Sequence, residues 1–128
     1  MVYVMTGKHA APVADVLVAC LCAEWCGVCR DFRGRFEQLQ AKFPQARFIW
    51  IDVEDQADLL HPLDDVDDFP TMLLGVGNEP RFFGPVLPSI EALERLIRAQ
   101  VLEAGATTVK EAAVARLLER IRTAHVLA

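Results

Sequence analysis

The 128 residues fit the size of one domain, and a hydrophobic fraction of 53% with a mean hydropathy of +0.25 excludes a largely disordered chain. Thirteen Lys and Arg against 18 Asp and Glu leave a formal charge of −5, which excludes nucleic-acid binding as the main activity because phosphate neutralisation needs clustered cations. The longest apolar run, 13–22, is far short of the ~20 residues that cross a bilayer and contains Asp15, so no membrane partner is expected.

Residues 2–5 can form a short strand, followed by a loop or a partial helix over 6–12. The run 13–22, rich in Val, Leu, Ala and Cys and bounded by Pro12 and Glu24, predicts a strand buried on both faces, with Cys20 and Cys22 sharing one of them. Over 26–43, Cys29, Phe32, Phe36, Leu39 and Phe43 recur at steps of three and four and predict a helix that ends before Pro44. Residues 47–53 return to β-branched and aromatic composition, a second central strand joined to the first by a right-handed crossover.

A short acidic helix is expected over 54–61, stopped by Pro62, and it leads into an acidic loop at 64–68. Strands over 71–74 and 81–83, separated by the turn composition of 75–80, predict an antiparallel hairpin. Ser89 with Glu91 marks a helix start, and Leu93, Leu96, Ile97 and Val101 give its buried face. Gly105 closes that helix, and the spacing of Thr108 to Glu111 predicts a capping box before a last helix with Val114, Leu117, Leu118 and Ile121 on one side. The order predicts an α/β fold: a central mixed sheet flanked by helices, formed by residues 1–103, with residues 104–128 as a helical extension packed on it.

All four cysteines, Cys20, Cys22, Cys26 and Cys29, lie within ten residues, so they form a local chemical centre and do not staple long loops. Cys26 and Cys29, three positions apart, can close a small disulfide ring. At a helix N-terminus the unpaired backbone N–H groups face Cys26, which is then the attacking sulfur, and Cys29, one turn further in, resolves the mixed disulfide. Gly27 leaves room for an approaching substrate backbone.

The segment Ala23-Glu24-Trp25-Cys26-Gly27-Val28-Cys29-Arg30 resembles the active-site segment of the thioredoxin family, and Phe69-Pro70-Thr71 resembles that family's cis-proline segment. The resemblance spans roughly 13–103, with Gly84 near the last strand, and implies a thioredoxin fold and a protein dithiol–disulfide oxidoreductase. It implies catalysis by Cys26 and Cys29, with Trp25, Gly27, Val28, Phe69 and Pro70 contacting substrate. It also implies disulfide-containing protein substrates, a reductase or small thiol as electron donor, and no bound cofactor. Three departures stand out. Cys20 replaces a buried Asp, Phe48 replaces the Lys that partners it, and Val28 replaces the Pro between the cysteines. The acidic run 52–68, with eight acidic residues and no Lys or Arg, leads into Phe69 and favours basic substrate proteins.

Two other readings compete. One is a binding module of the same fold that holds partners without turnover. The other is a zinc or iron–sulfur carrier using four thiolates, although no second C-x-x-C completes the usual spacing and no metal ligand set is assigned. Core filling is the default role for Cys20 and Cys22. His9, His61 and His125 are scattered along the chain and supply no general base. A cytoplasmic location is expected.

Overall fold

The computed structural model describes residues 16–23, 26–56, 69–102 and 108–126. Strand β1 (Val16–Cys22) is the hub of a four-stranded mixed sheet of order β2-β1-β3-β4. It runs parallel to β2 (Arg47–Asp52), which reaches it by crossing over through helix α1 (Gly27–Lys42). On its other side it is antiparallel to β3 (Thr71–Val76), which forms a hairpin with β4 (Glu79–Pro85). Helix α2 (Ile90–Ile97) follows, continues into a π-helical turn over Arg98–Leu102, and precedes the last helix, α3 (Ala112–Val126).

All seven residues of β1 are buried, as a strand covered on both faces requires. Alternation along the strand divides them between two cores. Val18, Cys20 and Cys22 face α1 and α2, where they meet Cys29, Phe32, Phe36, Leu39, Phe43, Leu93 and Ile97. Leu17, Ala19 and Leu21 face the other way, and with Ile49, Ile51 and Leu73 they pack against Val114, Leu117, Leu118 and Ile121 of α3. The apolar stripes predicted for α1 and α3 are therefore the buried ones. Leu96 is only partly buried in the first core. The last helix is more than an added layer, because it is the helix that covers the second face of the sheet among the described residues.

The two helices on the first face are also tied to each other. Glu94 of α2 receives Lys42 Nζ at 3.7 Å and Arg98 Nη2 at 3.0 Å, and the Arg98 guanidinium lies 5.0 Å from the Phe43 ring. Those cations hold the Glu94 carboxyl below its ordinary value, with the Arg98 hydrogen bond as the main cause. Ser89 caps α2 as predicted, its hydroxyl accepting from the Ala92 N–H at 3.3 Å.

Three sequence expectations need correction. The hairpin strands are longer than 71–74 and 81–83, because the turn is only Gly77-Asn78. Gly77 has φ +60°, the first-position glycine that a two-residue type II′ turn favours. Thr108 does not start a helix. Its hydroxyl donates to Glu79 Oε1 at 3.1 Å and the Val109 N–H donates to the Pro80 carbonyl at 2.7 Å, so this segment is stitched to β4. The helix begins only at Ala112, with the Glu111 carbonyl accepting from the Val114 and Ala115 N–H groups. Finally, the described part of the expected 54–61 helix is a turn over 53–56, capped by Asp52 Oδ1, which accepts from the Glu54 and Asp55 N–H groups. The strand over 2–5, the acidic loop at 64–68 and Gly105 lie outside the described residues.

Two outcomes follow from these cores. A Cβ on Gly75 would sit 2.7 Å from the Leu118 Cδ1, and Leu118 is buried, so close approach of α3 to β3 requires a glycine there. Gly75→Ala should lower the unfolding free energy by about 1–3 kcal/mol in urea titrations without changing the slope. Burial pushes the Cys20 thiol from its ordinary 9.0 up to about 12. A folded-state pKa raised above the unfolded one gives stability that is complete below pH 9.0 and is lost as pH rises toward 12. Urea titrations of the oxidised protein should therefore show a loss of about 1.4 kcal/mol per pH unit in that window that is missing from Cys20→Ala.

Candidate functional site

The connection from β1 to α1 is only four residues, 23–26, so the C-terminal end of the strand and the first turn of the helix lie side by side. Cys26 is the N-cap of α1, with extended backbone at φ −85° and ψ 119°. Its N–H donates to the Ala23 carbonyl at 3.0 Å, and its carbonyl accepts from the Arg30 N–H at 3.1 Å. The sulfur makes no capping hydrogen bond, and the thiol is free and partly exposed. Gly27 opens the helix, and the Arg30 guanidinium is near enough that a Cβ on Gly27 would meet it at 3.8 Å. The first turn of α1 carries no acidic residue.

Cys29 lies one turn further in and is 1% exposed. It is joined in a disulfide to Cys22, the last residue of β1, with Cα atoms 5.8 Å apart. The expected ring between Cys26 and Cys29 is thus absent from this state of the molecule, and Cys22, read from the sequence as core filling, is the bonded partner. The signal for it was present in the pattern. Cys22 has the strand parity that faces α1, and the short βα connection brings that strand end to the first helical turn. The Cys22 carbonyl accepts from the Val53 N–H at 2.9 Å, which fixes the strand end beside β2.

Cys20, two residues earlier on the same face, has its sulfur 3.8 Å from that of Cys22. Only Cys20 carries a hydrogen in this pair, because Cys22 is in the disulfide, so Cys20 donates to Cys22. Phe48, at the other departure from the family pattern, packs with Phe36 and Phe43 at ring distances of 5.3 and 6.4 Å and is an apolar part of the first core.

The second motif arrives at the same end of the sheet. Leu21 of β1 pairs with Thr71 of β3, so continuing the register sets Pro70 level with Cys22. The Phe69–Pro70 peptide bond is cis, Pro70 is buried, and its carbonyl accepts from the Val86 N–H at 3.0 Å. Phe69 and Cys26 both pack, partly buried, against the first core. Val28 is 46% exposed and is one of only two large exposed apolar residues among those described. Trp25 lies outside the described residues.

Between the first turns of α1 and the end of β2 a cleft of about 370 Å³ opens with Cys29 at its edge. Arg30, Arg33, Trp50, Asp52 and Asp55 line it, and the Arg33 guanidinium stands 5.0 Å from the Trp50 ring. Among the described residues no group of three His, Cys, Asp or Glu side chains is placed to hold a metal ion, and no helix is long and apolar enough to cross a membrane.

This combination of a sheet, a helix-capping cysteine and a cis-proline segment has clear relatives. Thioredoxin Asp f 28 of Aspergillus fumigatus is 29% identical over 77 residues, 60% of this chain and 70% of that protein. The structure is similar to mitochondrial thioredoxin 3 from Saccharomyces cerevisiae in its oxidised form, with a TM-score of 0.59 at 28% identity, covering 67% of this chain and 79% of that one. It is also similar to the thioredoxin of Fasciola hepatica, with a TM-score of 0.61 at 20% identity, covering 69% of this chain and 83% of that one. The family model described as Thioredoxin matches residues 4–87, and the chain therefore belongs to the thioredoxin family.

Proposed function

We propose that this protein is a dithiol–disulfide oxidoreductase in which Cys26 attacks a partner's disulfide and Cys29 resolves the product. The observation that carries the reading is the position of Cys26. It caps α1 with a free, partly exposed sulfur, no acidic residue follows in the first turn, and Cys29 lies one turn inward. A Cys26 thiolate attacks one sulfur of the partner disulfide, a mixed disulfide forms and the partner's other sulfur leaves as thiolate. Attack by Cys29 on Cys26 then releases the reduced partner and closes the Cys26–Cys29 bond. A reductase or a small thiol returns the two electrons.

In this reading Gly27, the exposed Val28, the partly buried Phe69 and the backbone around the buried Pro70 receive an extended disulfide-bearing segment of a protein, and Trp25 adjoins Cys26 in sequence. The acidic residues that precede Phe69 in the chain favour basic partners through charge attraction.

A second reading, a partner-holding module without turnover, draws on one observation: the bond to Cys22 occupies the resolving sulfur. Reduction of a disulfide-linked protein such as insulin by dithiothreitol separates the two. Cys26→Ser should drop the rate to that of dithiothreitol alone, while Cys29→Ser should accumulate a mixed disulfide on Cys26 visible by mass spectrometry. A wild-type rate equal to the uncatalysed one, with partner binding retained in Cys26→Ser, would establish the module reading instead.

A further inference from the structure

We propose that Cys22 is a third redox-active sulfur, and that Cys29 alternates between Cys26 at the rim and Cys22 in the core. The proposal rests on the reading of Cys26 and Cys29 as the exchanging pair and extends it. Cys29 is within bonding reach of both candidates. Its Cα is 5.8 Å from that of Cys22, in the middle of the range that disulfides adopt. Cys26 stands three residues before it at the same helix end, where side chains one turn apart are neighbours.

The step balances without an outside oxidant. Exchange with a partner leaves the protein with a Cys26–Cys29 disulfide. The Cys22 thiolate attacks the Cys29 sulfur, the Cys22–Cys29 bond forms, the Cys26–Cys29 bond breaks and Cys26 departs with the electron pair as thiolate. One thiol and one disulfide enter, and one of each leaves. Run backwards, the same step lets a reductant that reaches only Cys26 empty the buried bond.

The surroundings of Cys22 suit this task. Its backbone is held at the strand end by the hydrogen bond from Val53, and its sulfur receives the Cys20 S–H at 3.8 Å, an interaction that stabilises the anion when Cys22 is the leaving group. The transfer stops there, because burial keeps Cys20 protonated. Both bonded sulfurs belong to residues 1% exposed, whereas Cys26 is partly exposed. The oxidised protein consequently stores its disulfide in the interior and regains a reactive thiol at the rim. In that state it forms mixed disulfides at Cys26 that Cys29 is not free to resolve.

The test is oxidation of the reduced protein by glutathione disulfide, with acid quenching, disulfide mapping by mass spectrometry and iodoacetamide labelling of the remaining thiols. Wild type should pass through Cys26–Cys29 to Cys22–Cys29 and remain alkylatable at Cys26. Cys22→Ala, or the volume-conserving Cys22→Ser, should stop at Cys26–Cys29 with Cys26 protected. Cys26→Ser should form Cys22–Cys29 at least about tenfold more slowly than wild type, since its buried sulfurs lose their route to the oxidant. A wild-type end product of Cys26–Cys29 alone overturns the role of Cys22 and leaves the exchanging pair intact. Cys26→Ser oxidising at the wild-type rate overturns the relay, with the cleft beside Cys29 as the route. Failure of the Cys22 variants to form Cys26–Cys29 overturns the underlying pair itself.

Discussion

The seven residues of β1 leave no side chain for solvent, and that constraint organises everything else in the molecule. A strand buried on both faces needs a neighbour along each edge and a helical layer above and below. β2 and β3 supply the edges, α1 and α2 cover one face, and α3 covers the other. Because only four residues separate the strand from α1, the same constraint brings the strand end and the helix start together. The last inward-facing residue of the strand and the first inward-facing residue of the helix are both cysteines, and they meet.

The cost of that burial is visible at Cys20. A thiol in the centre of an apolar face keeps its proton and acts as a hydrogen-bond donor, which is a different role from that of the acid it replaces in the family pattern. Phe48, in place of a cation, completes an aromatic layer with Phe36 and Phe43. The two substitutions are consistent with one another. An apolar ring and an uncharged thiol in the same core leave no unpaired buried charge.

Much of this was legible in the residues. The helical stripe from Cys29 to Phe43, the wholly apolar β1 and the side of α3 carrying Val114, Leu117, Leu118 and Ile121 follow from periodicity alone, since burial selects the side chains at each step. The two motifs at Cys26 and Pro70 carried the family and pointed to the candidate site. Thr108 misled because a capping-box spacing is a local signal, and β4 offered partners to its hydroxyl and to the Val109 N–H. Cys22 was undervalued for the opposite reason. Its partner is set by the tertiary meeting of strand end and helix start, which composition does not display.

The stitching of Thr108 and Val109 onto β4 has a bearing on how copies of this chain behave toward one another. An exposed edge strand presents a row of unpaired backbone groups that invites a foreign strand. Here Pro80 and Pro85 remove two donors from that edge, and the chain's own Val109 occupies the Pro80 carbonyl. The hairpin end of the sheet is thereby closed to growth by strand addition. The guarded edge makes this side of the sheet a poor template for aggregation.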